Sequence, residues 1–313
     1  MKKIGLPIII LLLLIVIPVL VTQVMAKEER NYQAASLEET SYEEISFRNE
    51  AQDIDLGGML FLPEGEGSYP AVVFIHGSGS SRRDNRWYLT ITQYLQANGI
   101  AVLLPDKRGS EKSGGSWHSA SFEDLSTDAV AAVDFLKTRD DLPITQIGII
   151  GMSQGGFIAP MLASLSPDVA FVVDVVGAAV PIKEQLLFEE NNNLREMGFL
   201  PGISNLIAYP AAWSIREVRQ KDFWDAVGHY DPLPYWQEME IDGLALFGEI
   251  DPNVPSIKSA ELLRSLGKDN ITVKVYGGSA HALQDPVDQG NRYIREDALH
   301  DIVTFVKRAT ATS

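Results

Sequence analysis

The sequence predicts an α/β architecture, a mostly parallel sheet with helices on both faces. Two observations carry this. From about residue 71 onward, short apolar runs of strand length alternate with longer segments whose apolar residues recur at helical spacing. One of those runs, residues 146–150, leads straight into Gly151-Met152-Ser153-Gln154-Gly155-Gly156 and then into a helix-compatible stretch over 157–163. That is a strand, a tight turn and a helix in immediate succession. At 313 residues, 45% hydrophobic and 22% charged, the chain fits one large globular domain.

Residues 1–26 stand apart from that domain. Lys2 and Lys3 precede an apolar run over 4–21, and Val24-Met25-Ala26 places short residues where a signal peptidase reads. A cleaved export signal is expected, with an uncleaved membrane anchor as its rival, because the run is about as long as a bilayer-spanning helix. Either puts the remainder outside the cytoplasm, in the cell envelope or beyond it, and retention would make residues 4–21 the membrane contact. Residues 27–41 are polar, without an apolar period, and read as a tether. The folded part is expected over 42–313. It opens with strand-like stretches at 45–48 and 59–62 around a turn over 53–58, an antiparallel hairpin. There follow a strand at 71–75, a helix at 87–97, a strand at 100–104, a helix at 122–138, a strand at 147–150, a helix at 156–165 and a strand at 169–176. From about 181 to 236 polar and aromatic segments break the rhythm, and an inserted helical cap is expected there. A strand at 244–248, a helix at 256–266, a strand at 271–276 and a helix at 292–308 restore the alternation.

Charge and composition exclude several functions. A formal charge of −16 leaves no basic surface for nucleic acid. Without cysteine the chain has no thiol nucleophile and no cysteine metal site. Neither the loop over 76–80 nor that over 109–115 has phosphate-loop spacing. No cofactor and no metal are expected, and the oligomeric state is left open.

A bare Gly-x-Ser-x-Gly arises by chance in roughly one chain in ten of this length, so the weight lies in its surroundings. A serine hydroxyl attacks only when a base takes its proton, and the base needs a carboxylate to orient it. Of the five histidines, His281 lies in a loop just past the last strand, at the edge where a parallel sheet assembles its site. His76, His118, His229 and His300 lack that placement. Asp251 follows Leu244-Ala245-Leu246-Phe247-Gly248-Glu249-Ile250 at the end of a buried strand and is the expected acid. Asp174 is its rival, since it interrupts an apolar strand where an acid is costly unless partnered. Backbone donors for an oxyanion are expected from Gln154, after the nucleophile, and from the glycine-rich loop at 76–80, with Ser78 ahead of Gly77.

These segments resemble the bacterial α/β-hydrolase superfamily, in its branch of esterases, prolyl-oligopeptidase-like and serine-aminopeptidase-like enzymes. The resemblance rests on Pro70-Ala71-Val72-Val73-Phe74-Ile75-His76-Gly77-Ser78-Gly79, Pro105-Asp106-Lys107-Arg108-Gly109, the Gly151–Gly156 elbow, Gly248-Glu249-Ile250-Asp251 and Ala280-His281. It implies an eight-stranded sheet and a Ser153, Asp251, His281 triad. Relatives often carry His and Glu where this chain has Met152 and Gln154, and a second glycine where Glu111 stands. Asp106 and Arg108 are expected to pair and brace their loop. The expected activity is hydrolysis of a small carboxylic ester through an acyl-enzyme; a short peptide or a thioester is the alternative substrate, and a non-catalytic binding protein the remaining one. Glu184, Glu189 and Glu190 in the cap read as a solvated helix face rather than a clamp for a substrate ammonium.

Overall fold

A computed structural model describes residues 35–284 and 294–311. The expected signal or anchor at 1–26 and most of the expected tether lie outside the described residues. Eight strands form one sheet: β1 (Glu43–Asn49), β2 (Ile54–Phe61), β3 (Tyr69–Ile75), β4 (Ala101–Pro105), β5 (Ile144–Met152), β6 (Val169–Val175), β7 (Asp242–Gly248) and β8 (Ile271–Tyr276). Their spatial order is β1-β2-β4-β3-β5-β6-β7-β8. The β1–β2 and β2–β4 pairs are antiparallel and every later pair is parallel. Edge strand β1 alternates exposed and buried residues, whereas β5 is buried without interruption from Ile147 to Met152. The difference follows from cover on one face against cover on two.

Helices α1 (Arg86–Ala97), α2 (Phe122–Lys137), α3 (Gln154–Leu165), α8 (Ser256–Ser265) and α9 (Glu296–Ala311) supply that cover. On one face Val73, Ile149 and Ala245 pack with Phe157 and Leu162. On the other, Phe74, Ile150 and Leu244 pack with Leu89 and Phe305. Each large apolar side chain so buried contributes about 1.5–3 kcal/mol. Asn85 caps α1 through Trp87 N–H, and Ser121 and Asp124 form a capping box on α2, so both helices begin where the sequence supplies acceptors.

Two expectations change. The hairpin turn is confined to residues 50–53, and Asp55 to Gly58 belong to β2. Gly57 and Gly58 are there for close approach, not for turning: a Cβ on Gly57 would press on Lys112 Cβ and the Asp106 carboxylate, and one on Gly58 on Pro105. The fold also starts before residue 42. Leu37–Glu39 form a 3-10 turn, held to α1 where Ala35 N–H donates to Thr90 Oγ1 (3.4 Å) and Gln93 to the Ser36 carbonyl (3.2 Å).

Between β6 and β7 lie α4 (Ile182–Glu196), α5 (Pro201–Ser214), a π turn (Ile215–Arg219), α6 (Lys221–Val227) and α7 (Leu233–Glu238). They sit above the carboxyl ends of the strands. Tyr230 fastens them to the body: its hydroxyl donates to the Phe157 carbonyl (2.5 Å), its carbonyl accepts from Ile182 N–H (3.1 Å), and its ring meets Phe122 edge-on at 4.9 Å. Among the described residues no helix is long and apolar enough to cross a membrane.

Candidate active site

The site is built on the step from β5 to α3. Ser153 has φ 55° and ψ −116°, a left-handed backbone that costs a non-glycine residue about 1–3 kcal/mol. Its N–H donates to the Val175 carbonyl at 2.9 Å, and its carbonyl accepts from Gly156 at 2.8 Å, which hold it there. The glycines around it clear space. A Cβ on Gly151 would collide with the Gly155 carbonyl, one on Gly155 with the Ile75 carbonyl, and one on Gly156 with the Asp174 carboxylate. Any larger residue would push the elbow off the sheet. The hydroxyl therefore stands at the start of α3, where unpaired amides carry partial positive charge.

The loops after β7 and β8 bring the other two groups to it. His281 Nε2 lies 3.0 Å from Ser153 Oγ, and His281 Nδ1 lies 2.7 Å from Asp251 Oδ2. The second oxygen of Asp251 accepts from Asn253 N–H (2.8 Å) and Val254 N–H (3.1 Å), so the buried carboxylate is fixed from both sides. Its charge favours Nδ1–H on the imidazole and leaves Nε2 as acceptor toward the serine. The two loops are laced together: Ile250 N–H donates to the Ser279 carbonyl (3.0 Å) and Gly278 N–H to Glu249 (2.8 Å). Gly248 lets them pass, since a Cβ there would strike the Ser279 and Ala280 carbonyls.

Ser78 and Gln154 border the same cavity as Ser153 and His281. Their backbone N–H groups donate to no protein acceptor among the described residues. Gly77, the second choice of the sequence reading, is corrected: its N–H donates to the Tyr88 hydroxyl at 2.7 Å inside the protein. A spent amide cannot also receive an oxyanion. Lys107 joins the two donor segments, giving hydrogen bonds to the Gly77 carbonyl (2.8 Å) and to Gln154 Oε1 (2.9 Å). It is buried, with no carboxylate paired to it among the described residues. Burial pulls its ammonium down to about 7. Neither Tyr88 nor Lys107 was assigned a role from the sequence; the only signal was a lysine between Asp106 and Arg108 at the end of an apolar strand.

The remaining candidates fall elsewhere. The expected Asp106–Arg108 pair does not form: Asp106 takes Arg83 (2.6 Å), and Arg108 takes Asp128 (2.6 Å). The chain turns at Arg108 and Gly109 instead of running on extended, so each brace reaches a different element. Asp174 accepts from Gly177 N–H (2.7 Å) behind α3 and has no bond to His281. Burial pushes its carboxyl up to about 7. His76 is buried against Tyr88 with Nε2 at 2.6 Å from the Pro105 carbonyl, and burial lowers it to about 4, which keeps it neutral. His118, His229 and His300 are exposed. Glu111 has φ 50°, a backbone that favours the glycine common at that place in relatives.

Above Ser153 the cap closes a cavity of about 490 Å³, bordered by Trp87, Phe122, Phe157, Phe223 and Trp224 and by Glu189 and Glu190. This corrects the solvated-face reading for two of the three acids. Glu184 does face out, toward Lys258. Burial first, then the charge of Glu190, raises the Glu189 carboxyl above the usual range, against a hydrogen bond from Gln185 and the nearby imidazole. Among the described residues no group of three or more acids, histidines or cysteines is placed to hold a metal ion.

The family model described as "Serine aminopeptidase, S33" matches residues 68–206. Esterase EstD of Thermotoga maritima is 26% identical over 251 residues, covering 75% of this chain and 60% of that enzyme, so the chain spans about three fifths of it. An esterase of Pyrococcus furiosus superposes with a TM-score of 0.64 at 20% identity, covering 87% of this chain and 92% of its own. The chain has the α/β-hydrolase fold and is similar to serine hydrolases of that superfamily over much of its length. Est1E of Butyrivibrio proteoclasticus has the same fold, with a TM-score of 0.56 at 18% identity over 85% of this chain and 99% of its own. In this chain the elbow, the loops after β7 and β8 and the cap occupy one end of the sheet, as parallel topology requires.

Proposed function

We propose that the protein is a serine esterase acting on carboxylic esters of modest size. The observation that carries this is the relay from Ser153 Oγ to His281 Nε2 and from His281 Nδ1 to Asp251 (3.0 and 2.7 Å) beside the uncommitted amides of Ser78 and Gln154. His281 accepts the hydroxyl proton as Ser153 Oγ bonds to the ester carbonyl carbon. The carbonyl oxygen becomes an oxyanion held by the N–H groups of Ser78 and Gln154. The C–O bond to the leaving group breaks as His281 returns the proton to the departing alkoxide. A water, deprotonated by His281 in turn, releases the acyl group and restores Ser153. Asp251 keeps the imidazole oriented and stabilises its charged form. A thioester follows the same steps. Export places this chemistry outside the cytoplasm, in line with residues 1–26.

One observation favours a second reading. Glu189 and Glu190 face the cavity of Ser153 and suit a substrate ammonium, as an aminopeptidase would require. Hydrolysis of p-nitrophenyl esters of several acyl lengths, beside thioesters and aminoacyl and prolyl amides, separates the readings, with Ser153→Ala as control. The esters should turn over fastest; faster amides would replace the esterase by a peptidase.

A further inference from the structure

Helix α5 is packed inside out. Its buried residues are small, Ser204, Ala208 and Ala212, and its bulky apolar residues face away from the protein. Leu206 is 76% exposed, Tyr209 67%, Leu200 66% and Trp213 56%, with Ile203 beside them on the same outer face. A water-facing helix has the reverse distribution. Residues 197–215 contain no Asp, Glu, Lys or Arg. The described charge-free runs of similar length, 87–105 and 142–167, are the α1–β4 and β5–α3 units, which pack in the core. A contiguous exposed face of this kind marks a surface that meets something apolar.

Charge and chain geometry indicate what that is. Over 195–225 the basic residues Arg195, Arg216, Arg219 and Lys221 equal in number the acids Glu196, Glu217, Asp222 and Asp225, in a chain of net charge −16. This stretch is thus neutral where the chain as a whole is acidic, a match for a zwitterionic lipid surface. Trp213 and Tyr209 are the aromatic types that settle at the headgroup level. The first described residue, Ala35, lies on the same side. It touches Thr90, one turn from Trp87 at the cavity. The described chain therefore begins near the edge that carries the cap. The thirteen residues from Thr22 to Ala34 reach at most about 45 Å, which keeps a retained anchor and the cap within one molecular diameter.

We propose that the outer face of α5, through Leu200, Ile203, Leu206, Tyr209 and Trp213, docks on the surface of a phospholipid bilayer. Ile215, Gln220 and Phe223, which follow this face in the chain, border the cavity of Ser153, so docking turns the cap and its cavity toward the lipid. The docking does not rest on the reaction proposed above, and a Ser153→Ala chain should dock equally.

The chain has no cysteine, so Leu206→Cys or Tyr209→Cys carries a single environment-sensitive fluorophore, with Glu66→Cys as a control on the β2–β3 loop at the opposite end of the sheet. The full chain is reconstituted in phosphatidylcholine vesicles containing doxyl-labelled lipid. Quenching at 206 and 209 should exceed that at 66 several-fold. Equal quenching at all three positions would overturn the proposal. So would probes at 206 and 209 shielded from both lipid and aqueous iodide, because a second copy or another segment would then cover the face.

Discussion

The floor of the site and the cap above it are built on opposite principles. On the floor, the groups around the reaction are each fixed by a hydrogen-bond partner. Ser153 is held by β6, Asp251 by two amides of its own loop, and Gln154 and Gly77 by one lysine from the end of β4. In the cap, the acids Glu189 and Glu190 reach the cavity from a single helix, and α5 turns its large apolar side chains outward. The difference teaches that the floor decides whether bond cleavage happens and the cap decides what arrives to be cleaved. Changes to the floor should act on kcat, changes to the cap on KM.

The sharpest break in that comparison comes from two buried aspartates. Asp251→Asn should lower kcat by about four orders of magnitude, because the amide favours the wrong imidazole tautomer. Asp174→Asn, behind α3, should change kcat no more than about twofold, a ratio within the usual scatter for residues off the reaction path. Steady-state kinetics on one p-nitrophenyl ester read both, and equal losses would dissolve the distinction between floor and scaffold.

Next in size is Lys107→Met, which removes the link between the two oxyanion segments. A loss of about ten- to a hundredfold in kcat with KM nearly unchanged is expected, less than deletion of a donor itself. Affinity for a boronic acid that mimics the tetrahedral state should fall in parallel, and Gln154→Ala should add little on top of it. A pure folding defect would lower the active fraction and leave that affinity intact.

The cap responds differently. Glu189→Gln should raise KM several-fold for esters with a cationic group, leave neutral esters unchanged, and spare kcat for both, as removal of uniform binding does. A kcat loss on neutral esters would move Glu189 from the cap's role to the floor's.

The smallest effect is on stability. The folded Asp174 carboxyl sits at about 7, above its ordinary value. Its contribution is therefore complete below an ordinary carboxyl pKa of about 4 and is lost as pH rises through about 7. The thermal midpoint of the wild type should fall between about pH 5 and pH 8 by a few degrees more than that of Asp174→Asn.

Much of the floor was legible because backbone clearance dictates residue type. Only glycine fits at 151, 155 and 156, and the strand before and helix after them are unmistakable in hydrophobic period. Asp251 and His281 could be placed because parallel topology sends the loops after β7 and β8 to the same edge. What depended on side-chain direction was not legible. The Gly77 amide is spent on a tyrosine eleven positions later on another element, and Asp106 and Arg108 turn to separate partners. Gly57 and Gly58 resemble turn residues in sequence, yet they sit within β2 because β4 and the loop after it press close. In the cap no strand period indicates which side of α4 meets the cavity, so Glu189 and Glu190 looked like any charged helix face.

The proposed activity depends on Ser153 as the nucleophile. Intact-mass and peptide analysis after treatment with a fluorophosphonate tests it most directly. A single adduct on Ser153 is expected, absent in Ser153→Ala and formed far more slowly in Asp251→Asn. No adduct, or one on another serine at the same rate in every variant, would contradict it.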